Sequence, residues 1–406
     1  MPRLPSPASG RGAGGEGRPL GEGVLVAALV SALVLGMYAF GTERVGLAKD
    51  DAGQYARMAE DPAFLARLPY TFRVLTPRLA SLWPGDPAAG FTAVTLASLI
   101  LAGTCLHAYG RVVGLGPLAA GAGALLFAVS GGMVRLLTTP VYVDGPTYLL
   151  TVAALLLLAL DRFRPFLAVV CIGVLNRETA FLLVPLYLLV ARSSTWDRRR
   201  VAVAIVVPAG VFVALVIGQL WVGGALADPT RLYALRPAPS AMRQAIPSLT
   251  DLFDLFSTFG VLWLLAARNL LGPTPFMRRA SAFGALVIAQ LVAARGDEGR
   301  VLSHLFPIVI TLAMLEVDWA GRVHGRTGRI WAGVLVLGAA ASMVNARWTF
   351  LEPAPLRYAL VASGTIVALL AAWRLRSLDT RMDSGSQTGD AGAPATMAHS
   401  PTGDTR

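Results

Sequence analysis

Lysine is almost missing from this 406-residue chain: Lys49 is the only one, and arginine supplies every other strongly basic side chain. Cysteine is nearly as scarce. Cys105 and Cys171 both lie in apolar runs, far apart and without metal-ligand spacing, and are read as buried spectators. Charge of either sign is thin, 15% of residues against 55% hydrophobic. There is no Gly-x-x-x-x-Gly-Lys loop, no dinucleotide fingerprint and no His-Glu-x-x-His pair, which excludes soluble nucleotide chemistry and that metalloprotease pattern. Short alternating strands are lacking too, so a closed β-barrel is excluded.

What the chain has instead is apolar runs of about 18 to 22 residues, repeated along its length, with a mean hydropathy of +0.61. In hydrocarbon each run must be helical, because its backbone groups have to be satisfied within the segment. The expected fold is therefore an all-α polytopic membrane protein with about twelve transmembrane or half-membrane helices. The spans are expected near 22–40, 88–109, 115–137, 142–160, 165–176, 178–191, 200–222, 255–271, 280–295, 301–316, 329–346 and 356–373. The first is too long for a signal-peptide core and no clear cleavage site follows it, so it reads as a retained helix. Residues 1–21 and 377–406 read as disordered tails around a helical domain over 22–376.

The net charge of +11 is not a nucleic-acid footprint, because its distribution follows the membrane. Arg3, Arg11 and Arg18, then Arg111, Arg162 and Arg164, Arg198 to Arg200, Arg278 and Arg279, Arg322 to Arg329, and Arg374 and Arg376 fall after every second span. They mark the cytoplasmic side, placing both termini inside. That assignment closes only if 165–176 and 178–191 are two short elements meeting at a protein-lined or water-lined cavity. The arginine bias, with abundant Ala and Gly, suggests a bacterial coding preference and a bacterial cell membrane.

The unusual polar residues collect in the outer loops. Asp50 and Asp51 follow the first span, and on a helix Asp51 and Tyr55 share a face. Paired carboxylates can hold a divalent cation such as Mg or Mn, or serve as general base; Asp is also a favoured helix cap. Phe72 to Trp83, broken by Pro77, reads as an interfacial helix carrying Arg73 and Arg78 at headgroup depth, where guanidinium forks match phosphate. Asp144, in Tyr142-Val143-Asp144-Gly145-Pro146, is expensive near an apolar boundary unless paired or wetted; it either caps a helix or serves the site. Asn176-Arg177-Glu178-Thr179 interrupts the apolar stretch 165–191, so its side chains must face a cavity or one another. Arg177 and Glu178 are adjacent and need not pair together. Arg177 could take a phosphate while Glu178 orients it or contacts sugar hydroxyls; a plain structural hinge is the alternative. Arg300 and His304 lie one helical turn apart at another outer end and suit a lipid phosphate, although a histidine there also fits a satisfied core role.

An outer acidic residue after the first span, a long first outer loop with an interfacial helix, a second outer acid and a split polar helix pair together resemble the GT-C glycosyltransferases. Leu175-Asn176-Arg177-Glu178-Thr179-Ala180 resembles the Lys/Arg-Glu element of many bacterial members, and Arg300 to Pro307 resembles their outer Arg-to-Pro stretch. The resemblance covers residues 22–320 and is closest to the mannosyl- and arabinosyl-transferring members that use a polyprenyl-phosphate sugar. It implies an inverting transferase acting at the outer face on an envelope lipid, glycan or protein. Asp50 or Asp51 would be the general base, Asp144 the second acid, and Arg73, Arg177 and Arg300 would face the phosphate. No sizeable soluble segment follows the last span, so transfer of a monosaccharide is expected rather than of an oligosaccharide. Two other classes also fit intramembrane charges and broken helices: a secondary transporter or lipid flippase, and a non-catalytic envelope-assembly protein. Against the transporter, the break at Asn176-Arg177-Glu178-Thr179 has no counterpart in the second half.

Overall fold

The structure, a computed structural model, describes residues 19–41, 50–190, 197–230, 249–271, 274–289, 298–344, 348 and 354–387; the side chains of Asp50 and Asp51 lie outside the described set. The described residues are helical, with no strand among them. The chain is an all-α membrane protein.

Helix α1 (Pro19–Gly36) starts with proline at its first position, where the missing N–H costs nothing, and continues through a π-turn to Gly41. The segment between α1 and the next long helix, over its described residues 50–86, folds on itself. In α2 (Asp50–Glu60), Ala52, Tyr55, Ala56 and Ala59 fall on one buried face while Arg57 and Glu60 stay exposed. α3 (Leu75–Ser81) contains Pro77, which was expected to break it. Pro77 instead sits in the first turn, where its missing N–H would have had no intrahelical partner, and so the helix survives. α3 turns Leu79 outward, as the residues just after it turn Leu82 and Trp83, and buries Thr76, Pro77 and Ala80.

α4 (Pro87–Val112) is capped by Asp86, whose carboxylate accepts from Ala88 N at 2.8 Å. α5 (Pro117–Val129) and α6 (Gly131–Thr138) form one bent pair, angled by 40°. At the bend the Ser130 hydroxyl donates to Phe127 O and accepts from Met133 N, serving both helix ends. α7 (Asp144–Ala159) and α8 (Phe163–Asn176) follow. Arg177 is extended (φ −161°, ψ 136°), ending α8 before a 3₁₀ turn (Glu178–Leu182) and α9 (Leu183–Val190). The break therefore falls where the polar tetrad interrupts the apolar run.

α10 (Arg198–Val222) leaves Val206, Val213, Ile217 and Trp221 exposed, the surface of a helix bathed in lipid. Two expected single spans are each divided. Over 255–271 there are α11 (Leu249–Ser257) and α12 (Leu262–Arg268), because Gly260 adopts φ +52° against Ser342, whose hydroxyl accepts from Val261 N at 2.9 Å. After α13 (Pro275–Ala289), the expected span 301–316 is divided into α14 (Glu298–Ser303) and α15 (Phe306–Val323). Pro307 would clash with the Ser303 carbonyl in a continuous helix. α16 (Gly325–Ser342) packs closely on α17 (Ala354–Gln387): a Cβ on Gly338 would stand 2.8 Å from Gly364 O. α17 runs past the tail boundary expected at 376, since 377–387 contain no proline to stop it.

Four described helices are long and apolar enough to cross a membrane, Gly21–Gly41, Pro87–Val112, Arg198–Val222 and Pro355–Leu378; α5 with α6 makes a fifth if the bent pair is one span. α7, α8 and the 178–190 segment are apolar but short. A main apolar core joins α1, α4, α5, α7, α8 and α15, and a smaller one lies under the first loop, built from Ala52, Tyr55, Met58, Ala66, Ala80, Phe91, Val141 and Val143. Tyr142 packs against both.

Candidate functional site

Asp144 is the centre of the site. It is the first residue of α7 but makes no capping bond; Val143 holds the cap position. Its carboxylate, only 1% exposed, is instead the partner of three cationic or ionisable side chains. Arg177 Nη1 donates to Oδ1, Arg300 Nε stands 3.5 Å from Oδ2, and His304 Nε2 lies 3.5 Å from Oδ1. His304 Nε2 also approaches Arg177 Nη1 at 3.4 Å and meets the Tyr148 ring edge-on. The Arg300 guanidinium covers the face of Tyr142, 5.1 Å from the ring centroid. Arg177, Arg300 and His304 are all buried. Helices α7, α8 and α14 each bring one end to this point.

A second polar group adjoins the first through the peptide between residues 177 and 178. Arg73 donates from Nε to Glu178 Oε2 at 2.9 Å and from Nη2 to Oε1, and from Nη1 to the Tyr55 hydroxyl at 2.9 Å. This two-pronged geometry matches the planar fork to the carboxylate. Burial pushes the Tyr55 phenol above its ordinary range, and the neighbouring Arg73 only partly offsets it. Tyr55 therefore remains a neutral hydrogen-bonding group at physiological pH. Arg73 also stacks over Tyr70, at 5.4 Å.

Asn176 joins the two groups and is fully buried. Its amide donates to Val143 O at 2.7 Å and to Thr147 Oγ1 at 2.8 Å, while its oxygen accepts from Thr76 Oγ1 at 2.5 Å. An apolar recess opens beside His304, lined also by Thr147, Thr151, Gly173, Thr179 and Phe283.

The structure thus brings together Tyr55, Arg73, Asp144, Arg177, Glu178, Arg300 and His304, from segments that the sequence separates by up to 249 positions. Arg177 and Glu178 do not pair with each other: one turns to Asp144, the other to Arg73. Glu178 was expected to orient Arg177 or face a sugar, and Arg73 to face a phosphate; the Arg73 fork is engaged by Glu178 instead. Arg73 lies before α3, just after a short Tyr70–Phe72 turn, so the expected helix does not carry both arginines; Arg78, on α3, donates outward to Pro62 O at 3.0 Å. Asp50 and Asp51 open α2, with Asp51 one turn before Tyr55. The divalent cation that this pair could hold concerns side chains outside the described residues. Sequence reasoning missed Thr76, Thr147 and Tyr142. Their signal is faint, hydroxyls and a ring beside Pro77, Pro146 and Asp144.

The described chain superposes on a solved oligosaccharyltransferase of Archaeoglobus fulgidus tethered to an acceptor peptide, with a TM-score of 0.53 and 16% identity over 93% of this chain and 56% of that one. A second structure of the archaeal oligosaccharyltransferase from the same organism, in complex with an inhibitory peptide and a dolichol-phosphate, gives 0.51 and 15% over the same shares. The fold is GT-C. At this identity the likeness is one of fold alone, and the chain spans little more than half the length of those neighbours. Neither a protein-family model nor a curated protein matches this chain at the level of sequence.

Proposed function

We propose that this chain is a membrane glycosyltransferase that moves a sugar from a polyprenyl-phosphate donor to an envelope acceptor at the outer face. The observation that supports it most is the buried Asp144–Arg177–Arg300–His304 group, set in a GT-C fold beside the helix that opens with Asp50-Asp51. Buried guanidiniums held by a single carboxylate are preorganised for an anion, since their positions are fixed before it arrives. The lipid phosphate in one structural neighbour makes a lipid-linked donor the natural choice.

In this reading Arg177 and Arg300 face the donor phosphate, and Asp144 fixes both. Arg73 and Glu178 lock the first loop onto the bundle. The acceptor hydroxyl oxygen attacks the sugar's anomeric carbon. The bond from that carbon to the phosphate oxygen breaks on the opposite face, and polyprenyl phosphate leaves with the electron pair. The acceptor proton passes to Asp51 or Asp50. One displacement inverts the anomeric configuration. If a Mg or Mn ion takes part, the Asp50-Asp51 pair is the donor set for it, and it would supply further charge to the phosphate.

Arg177→Ala tests the phosphate role. It is expected to lower sugar transfer by about a hundredfold or more, the scale for losing one preorganised donor at a developing charge. Transfer is measured from radiolabelled polyprenyl-phosphate mannose by membranes carrying either form. Equal transfer by both would remove Arg177 from the reaction. Lipid translocation without transfer, abolished by Arg177→Ala, would make the protein a flippase.

A further inference from the structure

Loop 41–87 carries α2 and α3, and two polar ties to the bundle stand out among its described residues. One is the Arg73–Glu178 fork, made by two long side chains, with that of Glu178 36% exposed. The other is short and stiff. Thr76 and Asn176, separated by a hundred positions and both fully buried, meet through Thr76 Oγ1 and Asn176 Oδ1 at 2.5 Å.

The direction of this tie is set by its neighbours. Val143 O can only accept, so the Asn176 amide nitrogen must face it, at 2.7 Å. The Thr147 hydroxyl donates its hydrogen to that same carbonyl at 2.9 Å, so toward Asn176 it can only accept. Asn176 Oδ1 is then left as the acceptor for Thr76. Every polar atom of the amide is engaged, and the side chain has one orientation. It links α3, the end of α8 and the first turn of α7, immediately beside Asp144 and Arg177. Thr76 is β-branched and so has little rotamer freedom to absorb a shift.

We propose that Asn176, acting through Thr76, is a positioning residue that sets the distance between the first loop and the Asp144–Arg177 group. Because Asp50 and Asp51 ride on that loop and Arg177 and Arg300 do not, the tie governs the approach of acceptor to donor and not the binding of donor. This inference rests on the glycosyltransferase reading.

Thr76→Val keeps the shape and removes the donor. Since misplacement by an ångström can cost a hundredfold, kcat is expected to fall about ten- to a hundredfold. The KM for polyprenyl-phosphate mannose should stay within about threefold, because binding to the arginines is untouched. Thr76→Ser, which restores the hydroxyl, should recover kcat to within about threefold. A wild-type kcat in Thr76→Val, a raised KM with unchanged kcat, or a serine variant as impaired as valine would overturn the proposal. Should Thr76→Val fail to accumulate in membranes, Thr147→Val decides, because it removes an anchor of the same amide: the same loss of kcat supports the proposal, and an unchanged kcat overturns it. Absence of transfer by the wild type would instead refute the underlying reading.

Discussion

Asp144→Ala is expected to destabilise the folded protein by about 3–5 kcal/mol, the cost of deleting one partner of a buried ion pair. The carboxylate is 1% exposed, and its removal leaves Arg177 and Arg300 close together without the charge that holds both. Asp144→Asn keeps the volume and one acceptor oxygen, so its loss should be smaller, while its transfer activity should fall nearly as far. Thermal unfolding in detergent, compared with wild type, gives the first quantity, and transfer at a temperature where both variants are folded gives the second. A melting temperature for Asp144→Ala equal to wild type would mean that the buried cluster is not what organises the converging ends of α7, α8 and α14.

The second large effect is expected at α2. Asp51→Asn should reduce transfer by about 10²–10⁴-fold, the usual contribution of a positioned general base. Asp51 is favoured over Asp50 because the helix sets it one turn ahead of Tyr55, which Arg73 ties to the site. Asp50→Asn should then lose less than Asp51→Asn. The reverse order would assign the proton to Asp50. Equal, near-wild-type transfer in both would take the base away from this helix. Initial rates under saturating acceptor separate these cases, since a base acts on turnover.

Much of the fold was legible in the sequence for one physical reason. Hydrocarbon forces long apolar runs into helices, so α1, α4, α10 and α17 announce themselves by length and composition. The polar tetrad at 176–179 announced a break for the opposite reason, because its side chains could not face lipid. The places that resisted were those settled by tertiary contact. Gly260 ends α11 because Ser342 lies against it, and nothing near residue 260 reveals a partner on α16. Pro77 read as a breaker because its effect depends on whether it falls in the first turn or the middle of a helix, and α3 starts only at Leu75, two residues before it.

The candidate site was legible residue by residue but not as a network. Each of Arg73, Asp144, Arg177, Glu178, Arg300 and His304 stood out as a costly polar group among apolar neighbours. Their pairing did not, because adjacency in sequence says little once α8 ends in an extended residue that turns Arg177 and Glu178 toward different partners. Asn176 read as part of a hinge. Its three hydrogen bonds, to Val143, Thr147 and Thr76, exist only once three helices converge.

The central claim is chemical, and one measurement reaches it directly. Purified protein is reconstituted in liposomes with radiolabelled polyprenyl-phosphate mannose or polyprenyl-phosphate arabinose as the only sugar donor, and envelope lipid, glycan and protein fractions are offered as acceptors. The account predicts that label moves from at least one donor to an acceptor, with inverted anomeric configuration and release of polyprenyl phosphate. Label that stays on the polyprenyl phosphate with both donors and every acceptor fraction, in protein that is folded and correctly inserted, would contradict it.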